Sequence, residues 1–170
     1  MVKPPLTILE LKERAQHISG LTIGELAKVH NVVIPEDLKR QKGWQGQFIE
    51  SCLGADAGNL SEPDFSKIGV ELKTLPIDYT GRVLESTYIS VVNINNQQGL
   101  SWEKSATKHK LNHVLWVPIA RLKDQPLESS RVATPFLWQP NERESHQLKL
   151  DWEEVMELVA FGRFGELNAQ

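Results

Sequence analysis

The stretch that decides the fold of this chain is Pro63-Asp64-Phe65-Ser66-Lys67-Ile68-Gly69-Val70-Glu71-Leu72-Lys73-Thr74. In it an acid precedes a second acid by seven residues, and a lysine follows the second acid at the next position but one. Because side chains alternate across a strand, Glu71 and Lys73 share one face while Val70 and Leu72 point to the other, where a core can take them. The stretch therefore predicts a strand with its charged groups on one side.

These charged groups can form one site if the turn after Asp64 folds back onto the strand. Two carboxylates and an ammonium then converge. Carboxylate oxygens are ligands that suit Mg²⁺, and a nearby lysine can orient a water or stabilise charge on a phosphate. The spacing alone is a weak signal, because acids and lysines are common, and taken by itself it favours an edge strand whose polar face is solvated.

The Pro-Asp start and the one-sided strand resemble the Pro-Asp…(Asp/Glu)-x-Lys signature of restriction-endonuclease-like nucleases. Further segments, spread over nearly all 170 residues, are similar in order to the MutH family of methyl-directed mismatch-repair endonucleases. They are Thr22-Ile23-Gly24-Glu25-Leu26-Ala27, Asp37-Leu38-Lys39-Arg40, Lys42-Gly43-Trp44, Gly69-Val70-Glu71-Leu72-Lys73-Thr74, His109-Lys110-Leu111 with Val114-Leu115-Trp116, and Asp151-Trp152-Glu153-Glu154.

The resemblance implies an α/β fold, with a mixed sheet flanked by helices in an α+β arrangement. A chain of 170 residues fits one domain and can bury a core. We therefore expect residues 1–170 to form a single restriction-endonuclease-like domain, with two sub-lobes around a DNA-binding cleft.

The resemblance also implies which residues form the active site. The catalytic group would be Glu50, Asp64, Glu71, Lys73 and Lys110, and the carboxylates of Asp64, Glu71 and Glu50 would hold Mg²⁺. On composition alone Glu50 is a surface acid near the end of a helix predicted over residues 43–54. Lys110 is, on the same basis, a lysine at the entrance of a buried strand over residues 111–119, with its ammonium reaching either solvent or the site.

Two lysines are candidates for contacts with DNA phosphates. Lys42 belongs to the Lys-Gly-Trp match, although a solvated face is the simpler interpretation of its surroundings. Lys108 lies in the most basic segment of the chain, residues 102–113. The formal net charge of -3 argues against a generally basic coat, but a local basic rim can still supply phosphate contacts.

The cysteine and histidine content of the chain disfavours other metal and redox sites. Cys52 is the only cysteine, which excludes an internal disulfide and a cysteine-based zinc site. His109 and His113 are four residues apart, but the five histidines show no metalloprotease-like spacing.

Local signals predict the remaining elements. Thr7 with Glu10, Thr22 with Glu25, and Asn141 with Glu144 have the spacing of capping boxes at helix starts. Pro35 suits the first turn of a short helix. Residues 55–62 have a loop composition, and residues 85–93 are rich in β-branched and aromatic side chains, which predicts a strand. Pro118 is expected to end the hydrogen-bond ladder of its own strand.

The resemblance implies a reaction and partners that no residue pattern reveals. The substrate would be double-stranded DNA carrying a hemimethylated GATC site, nicked in its unmethylated strand. MutL would activate the enzyme after MutS had found a mismatch, and the protein would be a monomer. No run approaches the length of a membrane span and no signal peptide is evident, so a cytoplasmic location is the expectation.

The family continues for several dozen residues past the last residue of this chain. That part carries the loop that reads GATC and the tyrosine that senses methylation, so we expect sequence-specific nicking to be impaired if residue 170 ends the protein. Three alternatives remain: a noncatalytic DNA- or partner-binding module on a nuclease fold, a related restriction endonuclease, and a protein-interaction domain with a chance acid cluster.

Overall fold

Five helices and four strands occupy the part of the chain that the computed structural model describes, residues 2–35, 43–58, 62–91, 100–122 and 124–163. The elements are α1 (Ile8–Ile18), α2 (Ile23–Val29), α3 (Trp44–Leu53), β1 (Glu71–Ile77), α4 (Ala106–Leu111), β2 (Val114–Ala120), β3 (Arg131–Val132), β4 (Phe136–Trp138) and α5 (Glu142–Ala160). Short 3₁₀ turns at Ser66–Ile68, Trp102–Lys104 and Leu127–Ser129 connect them.

The sheet is mixed, with β2 at its centre. On one side β1 runs parallel to β2, in a register that places Glu71 opposite Val114 and Ile77 opposite Ala120. On the other side β3 and β4 are both antiparallel to β2 and pair with its two ends. β1 is therefore an edge strand of this sheet, and near its carboxyl end its outer edge forms an isolated bridge between Ile77 and Val83.

The hydrophobic core lies between the first three helices and one face of this sheet. Leu72, Leu115 and Val117 project from that face and are at most 2% exposed. Helices α1, α2 and α3 cover them with a set of buried side chains, among them Leu11, Ile18, Ile23, Leu26, Phe48, Ile49 and Leu53. Glu71 and Lys73 consequently project from the opposite face of β1.

The helix starts predicted at Thr7, Thr22 and Asn141 are confirmed. Thr22 and Glu25 form a full capping box at α2, and Asn141 and Glu144 form another at α5. At α1 the Thr7 hydroxyl accepts from the Glu10 N–H, but the Glu10 carboxylate reaches one residue further back and accepts from the Leu6 N–H. No helix within the described ranges is long and apolar enough to cross a membrane.

Two strand predictions were wrong. Residues 85–91 pair with no strand in the described part of the chain and are mostly exposed, since β propensity forms a strand only where a partner is available. The ladder of β2 does not end at Pro118, which lies opposite Leu75 and accepts a 2.8 Å hydrogen bond from the Ala133 N–H. The short helix predicted after Pro35 lies outside the described residues, as do residues 92 and 93.

Gly54 ends α3, and the structure explains why a glycine stands there. Its φ is +87°, and a Cβ at this position would lie 2.5 Å from the carbonyl oxygen of Lys3 and 2.8 Å from Nη1 of Arg14. Arg14 bridges the same region by donating to the carbonyls of Lys3 and Leu53. The end of α3 is thus closely packed against the amino-terminal segment.

Replacing Gly54 with alanine is expected to cost at least about 3 kcal/mol of unfolding free energy, because backbone strain and a close contact with backbone atoms add together. Gly81 is a matched control, since its φ is also +87° but nothing lies within 4 Å of the added Cβ. Gly81→Ala should cost only the strain, about 1–2 kcal/mol. Urea denaturation of both variants measures the difference, and equal losses would show that the contact at Gly54 is unimportant.

Candidate active site

Glu71 is a buried carboxylate held by two lysines. Its side chain is 1% exposed, and its Oε1 accepts hydrogen bonds from Lys73 Nζ at 2.6 Å and from Lys110 Nζ at 2.9 Å. Lys73 lies two residues along β1 on the same face, whereas Lys110 comes from the last turn of α4. The parallel pairing of β1 with β2 brings these elements together, since α4 leads directly into β2 beside Glu71.

Asp64 lies at the outer edge of β1, the edge that faces away from β2. The Glu71 N–H donates to the His113 carbonyl next to β2, so the Leu72 N–H points the other way, and Asp64 Oδ2 accepts from it at 2.8 Å. Phe65 and Val70 exchange backbone hydrogen bonds that fold the intervening turn back onto the strand. The fold-back that the sequence required is therefore present, and Asp64 is only 7% exposed.

Glu50 approaches the same place from α3. Its carboxyl group is partly buried, and burial together with the nearby Asp64 carboxylate raises the pKa of Glu50 to about 7. Burial also raises the pKa of Asp64, against the opposing effect of its hydrogen bond from the Leu72 N–H. Three acids thus share a poorly solvated region with two ammonium groups.

The raised pKa of Glu50 predicts a pH-dependent stability for the metal-free protein. The folded state holds the proton up to about pH 7, whereas the unfolded chain releases it near pH 4.5. The stability that this proton supplies is complete below pH 4.5 and is lost as the pH rises to about 7. Glu50→Gln should remove that decline, which for one proton is at most about 1.4 kcal/mol per pH unit.

The measurement is urea denaturation of both proteins with a chelator at several pH values from 5 to 8. The two proteins differ only at residue 50, so the difference between the two curves isolates Glu50. Parallel curves would contradict the assignment of the raised pKa to Glu50.

The structure brings together all five residues predicted for the catalytic group. Lys110 differs from expectation in its element, because it belongs to a helix rather than to the entrance of a strand. Lys108, on the same helix, forms an ion pair with Glu103 on the surface. Lys42 lies outside the described residues. His109 is on α4 and His113 lies beyond its end, so they do not share one helix.

The donor set fits a hard divalent cation. Oε2 of Glu71 is buried and has no hydrogen-bond partner among the described residues, and a buried carboxylate oxygen left in this way is costly unless something satisfies it. Carboxylate oxygens are the ligands that Mg²⁺ and similar ions take in proteins. Across the described ranges, no three His, Cys, Asp or Glu side chains are already gathered closely enough to hold an ion, so the carboxylates would have to adjust.

The sequence did not indicate the contact that Asp56 makes near Asp64, because Asp56 lies in a segment predicted only as a loop. Its carboxylate accepts from the N–H of Ser66 at 2.9 Å and from the Ser66 hydroxyl at 3.1 Å. These residues are ten positions apart, and no local pattern links an acid to a serine at that distance.

Comparisons with known proteins identify the family of this chain. Residues 53–151 match the family model described as "DNA mismatch repair enzyme MutH". The DNA mismatch repair protein MutH of Vibrio campbellii is 47% identical over 170 residues, covering 99% of this chain and 75% of the relative. The DNA mismatch repair protein MutH of Shewanella woodyi is 49% identical over 166 residues, covering 98% of this chain and 72% of the relative.

The protein of the same name from Escherichia coli O1:K1 is 45% identical over 170 residues, covering 100% of this chain and 74% of the relative. The chain therefore spans about three quarters of the length of these relatives. The family model alone covers more than half of the chain and includes Asp64, Glu71, Lys73 and Lys110. On these grounds the chain belongs to the MutH family of DNA mismatch-repair enzymes.

Proposed function

We propose that this protein is an Mg²⁺-dependent endonuclease of methyl-directed mismatch repair, which nicks the unmethylated strand of DNA at hemimethylated GATC sites. The observation that carries the proposal is the convergence of Asp64, Glu71, Lys73 and Lys110 at one end of β1. Membership of the MutH family supplies the pathway. The chemistry follows from the residues themselves.

The carboxylates of Asp64 and Glu71 would hold the cation, and Glu50 would assist directly or through water. When bound, Mg²⁺ supplies positive charge that stabilises the reacting phosphate and favours a hydroxide nucleophile at neutral pH. The hydrogen bond from the Leu72 N–H fixes one oxygen of Asp64 and leaves the other available. Glu71 likewise has Oε2 free of any partner among the described residues.

The two lysines would supply charge and orientation from two different elements, β1 and α4. Lys73 Nζ, at 2.6 Å from Glu71 Oε1, would position the attacking water or stabilise charge that develops on the phosphate. Lys110 would assist from α4. Both side chains are less than one fifth exposed, so the ammonium groups act in a region where water screens them weakly.

Membership of the family supports a more specific proposal about the substrate and partners. We propose that it acts as a monomer on double-stranded DNA, that MutL activates it, and that MutS acts indirectly through MutL. Lys42 and Lys108 are proposed phosphate contacts. The single-domain organisation, with two sub-lobes around a DNA-binding cleft, also remains a proposal.

The test is nicking of a supercoiled plasmid that contains one GATC site, with Mg²⁺ and with or without MutL. Three forms of the plasmid separate the steps: hemimethylated, fully methylated, and lacking GATC. We expect open circles from the hemimethylated plasmid, more of them with MutL, and loss of nicking in Lys73→Ala. Mg²⁺ binding without nicking of any plasmid would favour a noncatalytic nuclease core, and equal nicking of all three would refute the proposed specificity.

A further inference from the structure

Hydrogen bonds connect the segment before Asp64 to Asp64 itself and to the segment after it. The Asp64 carbonyl accepts from the N–H groups of Asp56 and Ala57, at 2.9 and 3.2 Å. The Asp56 carboxylate in turn accepts from the N–H and the hydroxyl of Ser66. The backbone of Asp64 is therefore held on one side by hydrogen bonds to its own carbonyl and on the other by the contact between Asp56 and Ser66.

We infer that Asp56 is a positioning residue, which holds the backbone of Asp64 so that its carboxylate is aimed at the metal site. This inference rests on the proposed function. Asp56 does not itself bind the metal in this inference, because both of its carboxylate oxygens accept hydrogen bonds from Ser66 and the residue is exposed. It acts through the backbone of Asp64.

The same contacts connect Asp64 to the helix that carries Glu50. The Glu50 carbonyl accepts from the N–H groups of Gly54 and Ala55, at 2.9 and 3.0 Å, and Asp56 follows directly. These hydrogen bonds and the peptide link from Ala55 to Asp56 thus connect the backbone of Glu50 to the backbone of Asp64. The contacts hold together the backbones of two acids that are fourteen residues apart in the sequence.

The far end of β1 offers a matched control. Asp78 makes the same type of contact, since its Oδ1 accepts from the N–H and the hydroxyl of Thr80 and from the N–H of Arg82. It lies seven residues beyond Glu71 along an extended strand, which places it on the order of 20 Å from that carboxylate. Removing either carboxylate deletes a comparable turn, but only Asp56 adjoins the proposed site.

The experiment measures Mn²⁺ affinity by calorimetric titration of the metal-free protein, because Mn²⁺ takes the same oxygen ligands as Mg²⁺. Asp56→Ala is expected to weaken Mn²⁺ binding about 10-fold or more, the range found for groups that orient metal ligands. Asp56→Asn should bind within about twofold of the parent, since the amide can accept from the Ser66 N–H and donate to its hydroxyl. Asp78→Ala should not change the affinity.

Each other outcome overturns the inference. Unchanged binding in Asp56→Ala would show that the contacts do not orient Asp64. An equal loss in Asp56→Asn would make the charge of Asp56 the cause, and an equal loss in Asp78→Ala would make general stability the cause. Should Asp56→Ala not fold, Ser66→Ala removes only the hydroxyl contact, and unchanged affinity in it would count against the inference.

Asp64→Ala separates this inference from the proposed function. If the parent protein binds Mn²⁺ and Asp64→Ala does not, the proposed metal site stands and the Asp56 variants decide the positioning role alone. If Asp64→Ala binds as well as the parent, the proposed site fails and the inference fails with it.

Discussion

Replacing Asp64 with asparagine is expected to lower Mg²⁺-dependent nicking by more than about 100-fold, since groups that merely orient a metal ligand are already worth about 10–100-fold. The change removes the negative charge and one of the two oxygens. The fold should persist, because the amide oxygen of asparagine can still accept the hydrogen bond from the Leu72 N–H at the edge of β1.

The rate of conversion of supercoiled plasmid to open circles measures the effect, alongside the unfolding transition of each protein. Asp151→Asn is the matched control, because Asp151 is an exposed acid on α5 whose side chain contacts only Gln147 among the hydrogen bonds described. Its nicking rate should equal that of the parent. A rate for Asp64→Asn within about tenfold of the parent would remove Asp64 from the metal ligands.

Replacing Lys73 and Lys110 together with methionine is expected to cost the metal-free protein about 3–5 kcal/mol, because a buried carboxylate then has no cation beside it. Each single variant should lose much less than half of this. Either lysine alone still donates to Glu71 Oε1, so the free-energy losses from removing two partners of the same buried charge do not simply add. Urea denaturation in the presence of a chelator gives the free energy of unfolding of each variant.

Two further measurements establish that Glu71 is the cause. Adding Glu71→Gln to the double variant should recover most of the loss, because the neutral amide needs no counter-charge. Excess Mg²⁺ should also stabilise the double variant more than it stabilises the parent. No recovery with Glu71→Gln would mean that the lysines act through packing of their side chains.

The strand at the centre of the site was predictable because its signal is local. Alternation along Val70, Glu71, Leu72 and Lys73 predicts which side chains face the core, whereas the fold-back of the turn after Asp64 was only a condition at that point. The capping signals of the helices are local in the same sense. All of these features depend on residues within a few positions of one another.

The remaining parts of the site depend on tertiary packing. Glu50 has no distinguishing pattern, and only the family resemblance placed it near Asp64. Lys110 was assigned to the wrong element because the apolar run after it obscures the short helix that Ser105 caps through the Lys108 N–H. The strand predicted over residues 85–93 failed for the same reason, since its described residues have the composition of a strand but no neighbour to pair with.

The parallel pairing of β1 with β2 also has a consequence for synthesis of the protein. Parallel neighbours need a long crossover, and here the connection from Asp78 to His113 must be complete before Lys110 can reach Glu71. A nascent chain that ends within this connection would contain Glu50, Asp64, Glu71 and Lys73, yet Glu71 would lack its second lysine and β1 its neighbouring strand. The pairing of β1 with β2 can therefore form only after β2 has left the ribosome, and it requires closure of a long loop.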